Sequence, residues 1–179
     1  MKSPIVVVMG SIVSLLPMFT QQSSSQKEKP QSSESCPMHD ANSAMSERGE
    51  QQMGFSQTET THHFFVKPDG GVIQVEVDDP ADTSSRDNIR EHLTHIAKAF
   101  SNGDFDIPMI VHDTVPPGVS EMKRLRGQIW YSFQETPLGG RVIILTTDKE
   151  ALLAVHKFLG FQIEEHKTGD ALKQQRLSG

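Results

Sequence analysis

Residues 61–170 contain one unit twice, and this duplication restricts the possible fold more than any other feature. The first copy is "THHFFVKPDGGVIQVEVDDPADTSSRDNIREHLTHIAKAFSNGD" and the second is "GQIWYSFQETPLGGRVIILTTDKEALLAVHKFLGFQIEEHKTGD". Each has an apolar strand, a turn ending in Gly-Gly, a second strand, a helix and a closing Gly-Asp. Gly70-Gly71 corresponds to Gly139-Gly140 with an offset of 69, and Gly103-Asp104 to Gly169-Asp170 with an offset of 66. The three-residue difference fits the longer loop "DDPADTSS" of the first copy, where insertions are tolerated.

Local chemistry agrees with this parse. "KPDGG" and "ETPLGG" are turn sequences with glycine available for positive φ. Ser84-Ser85-Arg86-Asp87 and Thr147-Asp148-Lys149-Glu150 both fit a helix-start signature. Gly103 and Gly169 stand where a left-handed helix end favours glycine. Ile89, Leu93, Ile96 and Phe100 form one apolar helical stripe, and Leu152, Val155, Leu159 and Ile163 form another. Ile73, Val75 and Val77 alternate along a strand, as do Ile129, Tyr131 and Phe133. The expected fold is α+β: a duplicated ββα-ββα with a four-stranded, mainly antiparallel sheet and two helices on one face. Residues 105–126 connect the halves, with a short helix expected in "VSEMKRLR" after Pro116-Pro117-Gly118.

The chain outside the repeats has a different composition. Residues 5–19 form an apolar run after Lys2, which is short for a membrane span and matches a secretory signal. A signal segment is therefore expected over 1–22, with an exported product, periplasmic or extracellular, and no stable membrane span after processing. Residues 23–52 are rich in Ser, Gln and Glu and nearly free of branched apolar residues, the composition of a disordered linker. The folded domain is expected over 53–172, starting at "MGF", followed by a flexible tail over 173–179. Net charge is −6, which excludes a general nucleic-acid footprint. Cys36 is the only cysteine, so an intramolecular disulfide is excluded.

The candidate chemistry lies in the histidines. In "THHFF", His62 and His63 point to opposite faces of a strand, and register decides which one faces the helices. His92 and His95 form an H-x-x-H pair beside the first apolar stripe. The second repeat has Phe158 and Phe161 at the corresponding positions, the pattern of a site grafted onto one half and equally of ordinary drift. His112 and Asp113 lie in the connector. "CPMH" gathers Cys36, Met38 and His39, a thiolate, a thioether and an imidazole suited to copper or zinc. No G-x-S-x-G, P-loop or H-E-x-x-H signature is present, and C-x-x-C-H is absent.

Two resemblances follow from these strings. Cys36-Pro37-Met38-His39 resembles the core of the heavy-metal-binding segments of bacterial copper-efflux proteins, with Asp40 where that pattern usually has proline. "MGF" at 53–55, "TTHHF" at 60–64, "HDTVPPG" at 112–118 and "VHKFLGFQIEEHKTGD" at 155–170 are similar to a group of uncharacterised exported bacterial proteins. That likeness implies a bacterial origin and the same compact domain, and no activity.

Three functions compete. The first is an exported metal-binding protein, for copper or zinc, with ligands drawn from His62, His63, His92, His95, His112 and the tail residues Cys36, Met38 and His39. The second is a non-enzymatic interaction module, such as a homodimer, with structural histidines. The third is an enzyme using His112 and Asp113, which ranks last because no nucleophile has a recognisable setting.

Overall fold

The computed structural model describes residues 37–172. The expected signal segment, Cys36 and the C-terminal tail lie outside the described residues.

The sheet consists of β1 (Thr60–Lys67), β2 (Gly70–Val77), β3 (Ile129–Thr136) and β4 (Gly139–Thr146). Its order is β1-β2-β4-β3 with every neighbouring pair antiparallel. The two hairpins meet through β2 and β4, where Gly70 lies opposite Leu145 and Gly139 opposite Glu76. The duplication is thus expressed as a pseudo-twofold arrangement. Helices α2 (Thr83–Ser101) and α5 (Lys149–Glu165) cover one face. The fold is α+β, as the repeat predicts.

The glycine pairs do the expected job only in part, since Gly70 takes a positive φ and Gly139 does not. Pro68-Asp69 and Pro137-Leu138 make the hairpin turns, and the glycines are the first residues of β2 and β4. A Cβ on Gly70, whose φ is 149°, would run into the carbonyl of Ile144, and one on Gly139 would run into the carbonyl of Val75. Close approach of the two central strands is what excludes a side chain here.

Each helix lies across the other repeat's hairpin. α2 packs mainly on β3 and β4, and α5 mainly on β1 and β2. Neither repeat can bury its own apolar face alone. The predicted stripes form most of the core: Ile89, Leu93, Ile96 and Phe100 meet Val155, Leu159 and Ile163 beneath Phe64, Val75, Val142 and Ile144, whereas Leu152 of the second stripe is only half-buried and lies outside it. Both helices start one or two residues from the expected caps. Asp82 caps α2 by accepting from Ser85 N at 3.0 Å, and Asp148 caps α5 by accepting from Ala151 N at 2.8 Å. Gly103 takes the left-handed position after α2 at φ 79°. After α5 that position belongs to Lys167, at φ 52°.

Two expectations are corrected outside the repeats. Residues 37–52, expected within a linker over 23–52, are helical: α1 spans Pro37–Met53. Met45 is buried, and Arg48 Nε donates to the carbonyls of Ile110 at 3.1 Å and Val111 at 3.0 Å. The segment's Ala, Met, Glu, Gln and Arg residues have good helix propensity, so a few docking contacts are enough to hold it. The connector also holds a helix that was not expected, α3 (Asp106–His112), which ends at Asp113 with φ 51°. Seven residues with a proline in the first turn carry no readable period. The expected short helix is α4 (Val119–Arg124), entered through Gly118 at φ 90° and followed by a 3-10 turn over Arg126–Gln128. Among the described residues no helix is long and apolar enough to cross a membrane.

Candidate functional site

A cavity of about 80 Å³ lies between the sheet, α2, α3 and α5. Four histidines line it: His62 from β1, His92 from α2, His112 from the end of α3 and His166 just beyond α5. Most of the remaining lining is apolar, with Met53 from the end of α1 adding a thioether. The interlocked packing of the halves is what assembles this set. β1 lies under α5, so the end of α5 delivers His166 onto His62.

The rings are in contact. His62 and His166 stack with centroids 5.6 Å apart and planes 11° apart, and His112 meets His166 edge-on at 5.1 Å. Phe55 bridges to the fourth ring, lying 6.2 Å from His62 and 5.8 Å from His92. Burial is the main cause of low basicity throughout the cluster. It pushes His62 and His92 down to about 4 and His166 to about 3, with repulsion between neighbouring imidazoles adding to the shift. His112 is lowered by burial as well, partly opposed by its hydrogen bond to Gln162. All four rings are therefore neutral at pH 7, the form in which imidazole binds metals.

Hydrogen bonding leaves lone pairs free. His112 Nε2 lies 2.9 Å from Gln162 Oε1, an amide oxygen that can only accept, so Nε2 carries the proton. His112 Nδ1 then holds a lone pair, and it is buried with no partner. His62 Nε2 is also buried without a partner. Orphaned ring nitrogens beside a cavity are costly unless something occupies them. A partner that fixes one ring nitrogen and frees the other is the usual support for a metal-ligating histidine. As the rings stand, no three His, Cys, Asp or Glu side chains among the described residues are grouped so as to hold a metal ion.

The structure brings together three of the residues singled out in the sequence, His62, His92 and His112, and separates the others. His63 faces away from the helices, as strand alternation requires, and its Nδ1 lies 3.0 Å from Asp170 Oδ1. His95 is exposed. Three residues of helix turn it about 60° from His92, away from the apolar stripe. Asp113 caps α3 on the exposed side, so His112 and Asp113 form no dyad. Met38 and His39 fall within α1, but their side chains, like Cys36, lie outside what is described. The site is also not confined to the first half as expected, because each helix covers the other hairpin.

His166, Met53 and Gln162 are the additions. His166 was legible in principle, since it follows Ile163 by three residues and so continues the buried stripe of α5. Met53 and Gln162 carry no local signal. Compared with family models, curated proteins and solved structures, the chain matches none.

Proposed function

We propose that this domain is an exported transition-metal-binding module, related to the uncharacterised exported proteins whose strings it shares, that takes copper or zinc at the histidine-lined cavity. The observation that carries this reading is the convergence of four neutral imidazoles, two of them with unpartnered buried nitrogens, on one small cavity. Packing alone gives no reason to gather them, because each orphaned nitrogen costs roughly 1–3 kcal/mol. Torsion about Cβ–Cγ is broad for histidine, so ring rotation can turn these nitrogens toward a common ion. Imidazoles suit zinc and copper alike, and the thioether of Met53 tilts the donor set toward copper. The Cys36-Pro37-Met38-His39 string supports the same chemistry from the tail.

The test is equilibrium dialysis of the purified chain against copper and zinc. The wild type is expected to bind stoichiometrically. His62→Ala and His166→Ala are each expected to weaken binding about 10–100-fold, and His63→Ala to leave it unchanged. Background binding by the wild type, or equal loss in His63→Ala, would overturn the reading.

One observation favours a second reading, self-association through the sheet. Trp130 and Leu145 are cross-strand partners on the face opposite the helices, and they are 57% and 42% exposed. An exposed aromatic–aliphatic pair of this kind is a common dimer contact. Sedimentation of the wild type beside Trp130→Lys tests it. A concentration-dependent dimer that the substitution abolishes would support it, and a monomer at all concentrations would remove it.

A further inference from the structure

We propose that the groove between the end of α1 and α2 is the route by which the metal reaches the cavity, with His95 capturing the ion and His92, beside Met53, passing it inward. This rests on the metal-binding reading above. The groove has a volume of about 490 Å³. Gln51, Gln52, Glu91 and His95 line its solvent side, all exposed. Met53, His92 and Ile107 line both the groove and the cavity, so this one layer of side chains separates them.

The chemistry of that layer is selective. A hydrated ion arriving from solvent must shed water stepwise, because losing the whole shell at once is costly. Glu91 supplies negative charge at the mouth, and His95 supplies an exposed imidazole. His92 lies three residues away on the same helix, the spacing at which side chains are surface neighbours. In the first step a ring nitrogen of His95 replaces one bound water, which returns to solvent. In the second a ring nitrogen of His92 replaces another water or His95 itself. Each step exchanges one donor for another, and no electron moves.

The cavity's histidines are also approached from a second side, a cleft of about 210 Å³ beside His62 and His166. Its other lining residues are Gln57, Thr60, Thr61 and Thr168. Amides and hydroxyls are poor ligands for copper or zinc, so this cleft offers no donor ahead of His62 and His166 themselves, whereas the groove offers the exposed imidazole of His95 ahead of His92. That difference assigns loading to the α1–α2 groove.

Stopped-flow uptake of Co²⁺ by the purified chain tests the assignment, read by the d–d absorbance that appears on coordination. His95→Ala, and Gln52→Trp as a plug in the groove, are each expected to slow loading about tenfold while leaving the final spectrum and Kd within about twofold. Thr61→Trp in the cleft is expected to load at the wild-type rate. Unchanged rates in both groove variants, slowing confined to Thr61→Trp, or a weakened Kd with an altered spectrum in His95→Ala would overturn the route. No cobalt uptake by the wild type would remove the metal reading itself, whereas normal uptake with unaltered variant rates would remove only the route.

Discussion

The imidazoles of His62 and His166 stack 5.6 Å apart across the boundary between the two repeats, one from the first strand and one from the end of the last helix. Two stacked histidines cannot both be protonated in a buried setting without strong repulsion and desolvation. The folded protein therefore holds them neutral.

That neutrality sets a pH dependence. The ordinary histidine value is 6.5, and the folded values are about 4 for His62 and His92 and about 3 for His166. Above 6.5 the folded and unfolded chains are equally neutral at these sites, and their stability is fully present. Between 6.5 and about 4 the unfolded chain binds protons that the folded chain refuses, so stability falls as pH falls. Each ring contributes a slope approaching about 1.4 kcal/mol per pH unit in that window. Urea unfolding of metal-free protein from pH 7.5 to 5 should show the loss, and His62→Phe should reduce it by about one ring's share. A wild-type midpoint that does not move across the range would contradict the buried neutral cluster.

On the metal-binding proposal, the histidine cluster carries a cost in the metal-free protein. Phe158 occupies the position in the second repeat that His92 holds in the first, and Phe158 is a buried core residue. His92→Phe should therefore leave the metal-free fold as stable or raise its stability by about 1 kcal/mol, while abolishing stabilisation by added copper or zinc. Thermal unfolding with and without metal reads both effects. Equal metal-induced shifts in wild type and variant would remove His92 from the site.

The central strand crossing makes its own prediction. Gly139→Ala places a methyl group against the Val75 carbonyl, where backbone rather than a flexible side chain must give way. A loss of about 2–3 kcal/mol is expected from such overpacking. At Gly127 a Cβ meets nothing within 4 Å, so Gly127→Ala should stay within about 0.5 kcal/mol of wild type. Denaturant midpoints of the two variants give the comparison directly.

How much of this was legible depended on the range of each signal. The repeat offsets fixed the order of strands and helices, because Gly70-Gly71 and Gly139-Gly140 recur in matching contexts. The apolar stripes named most of the core, because helical periodicity over about three turns is hard to mimic by chance. The crossing of α2 and α5 onto each other's hairpins left no local trace, since either placement satisfies the same stripe. That crossing decides the site: it pairs His62 with His166 rather than with His95. Docking of α1 was hidden for a related reason, because Met45 and Arg48 dock as isolated residues that no period announces.

The closing Gly-Asp of the two copies ends in different work, and the difference can be tested. Asp104 accepts from Asp106 N at 3.0 Å and helps start α3. Asp170 instead accepts from Phe64 N at 2.9 Å and lies 3.0 Å from His63 Nδ1, so it covers the outer edge of β1. β1 ends the sheet, and a free edge N–H is a template for another chain. Asp170→Ala should cost about 1.5–3 kcal/mol, the range for a hydrogen bond to a charged group, and Asp170→Asn less because the amide oxygen still accepts. Hydrogen exchange at the Phe64 amide should accelerate in Asp170→Ala and recover partly in Asp170→Asn. Unchanged protection of that amide would show that the edge is held by something other than this carboxylate. Protection lost at Phe64 with new concentration-dependent association would mean that the carboxylate both anchors the strand and keeps its edge from pairing.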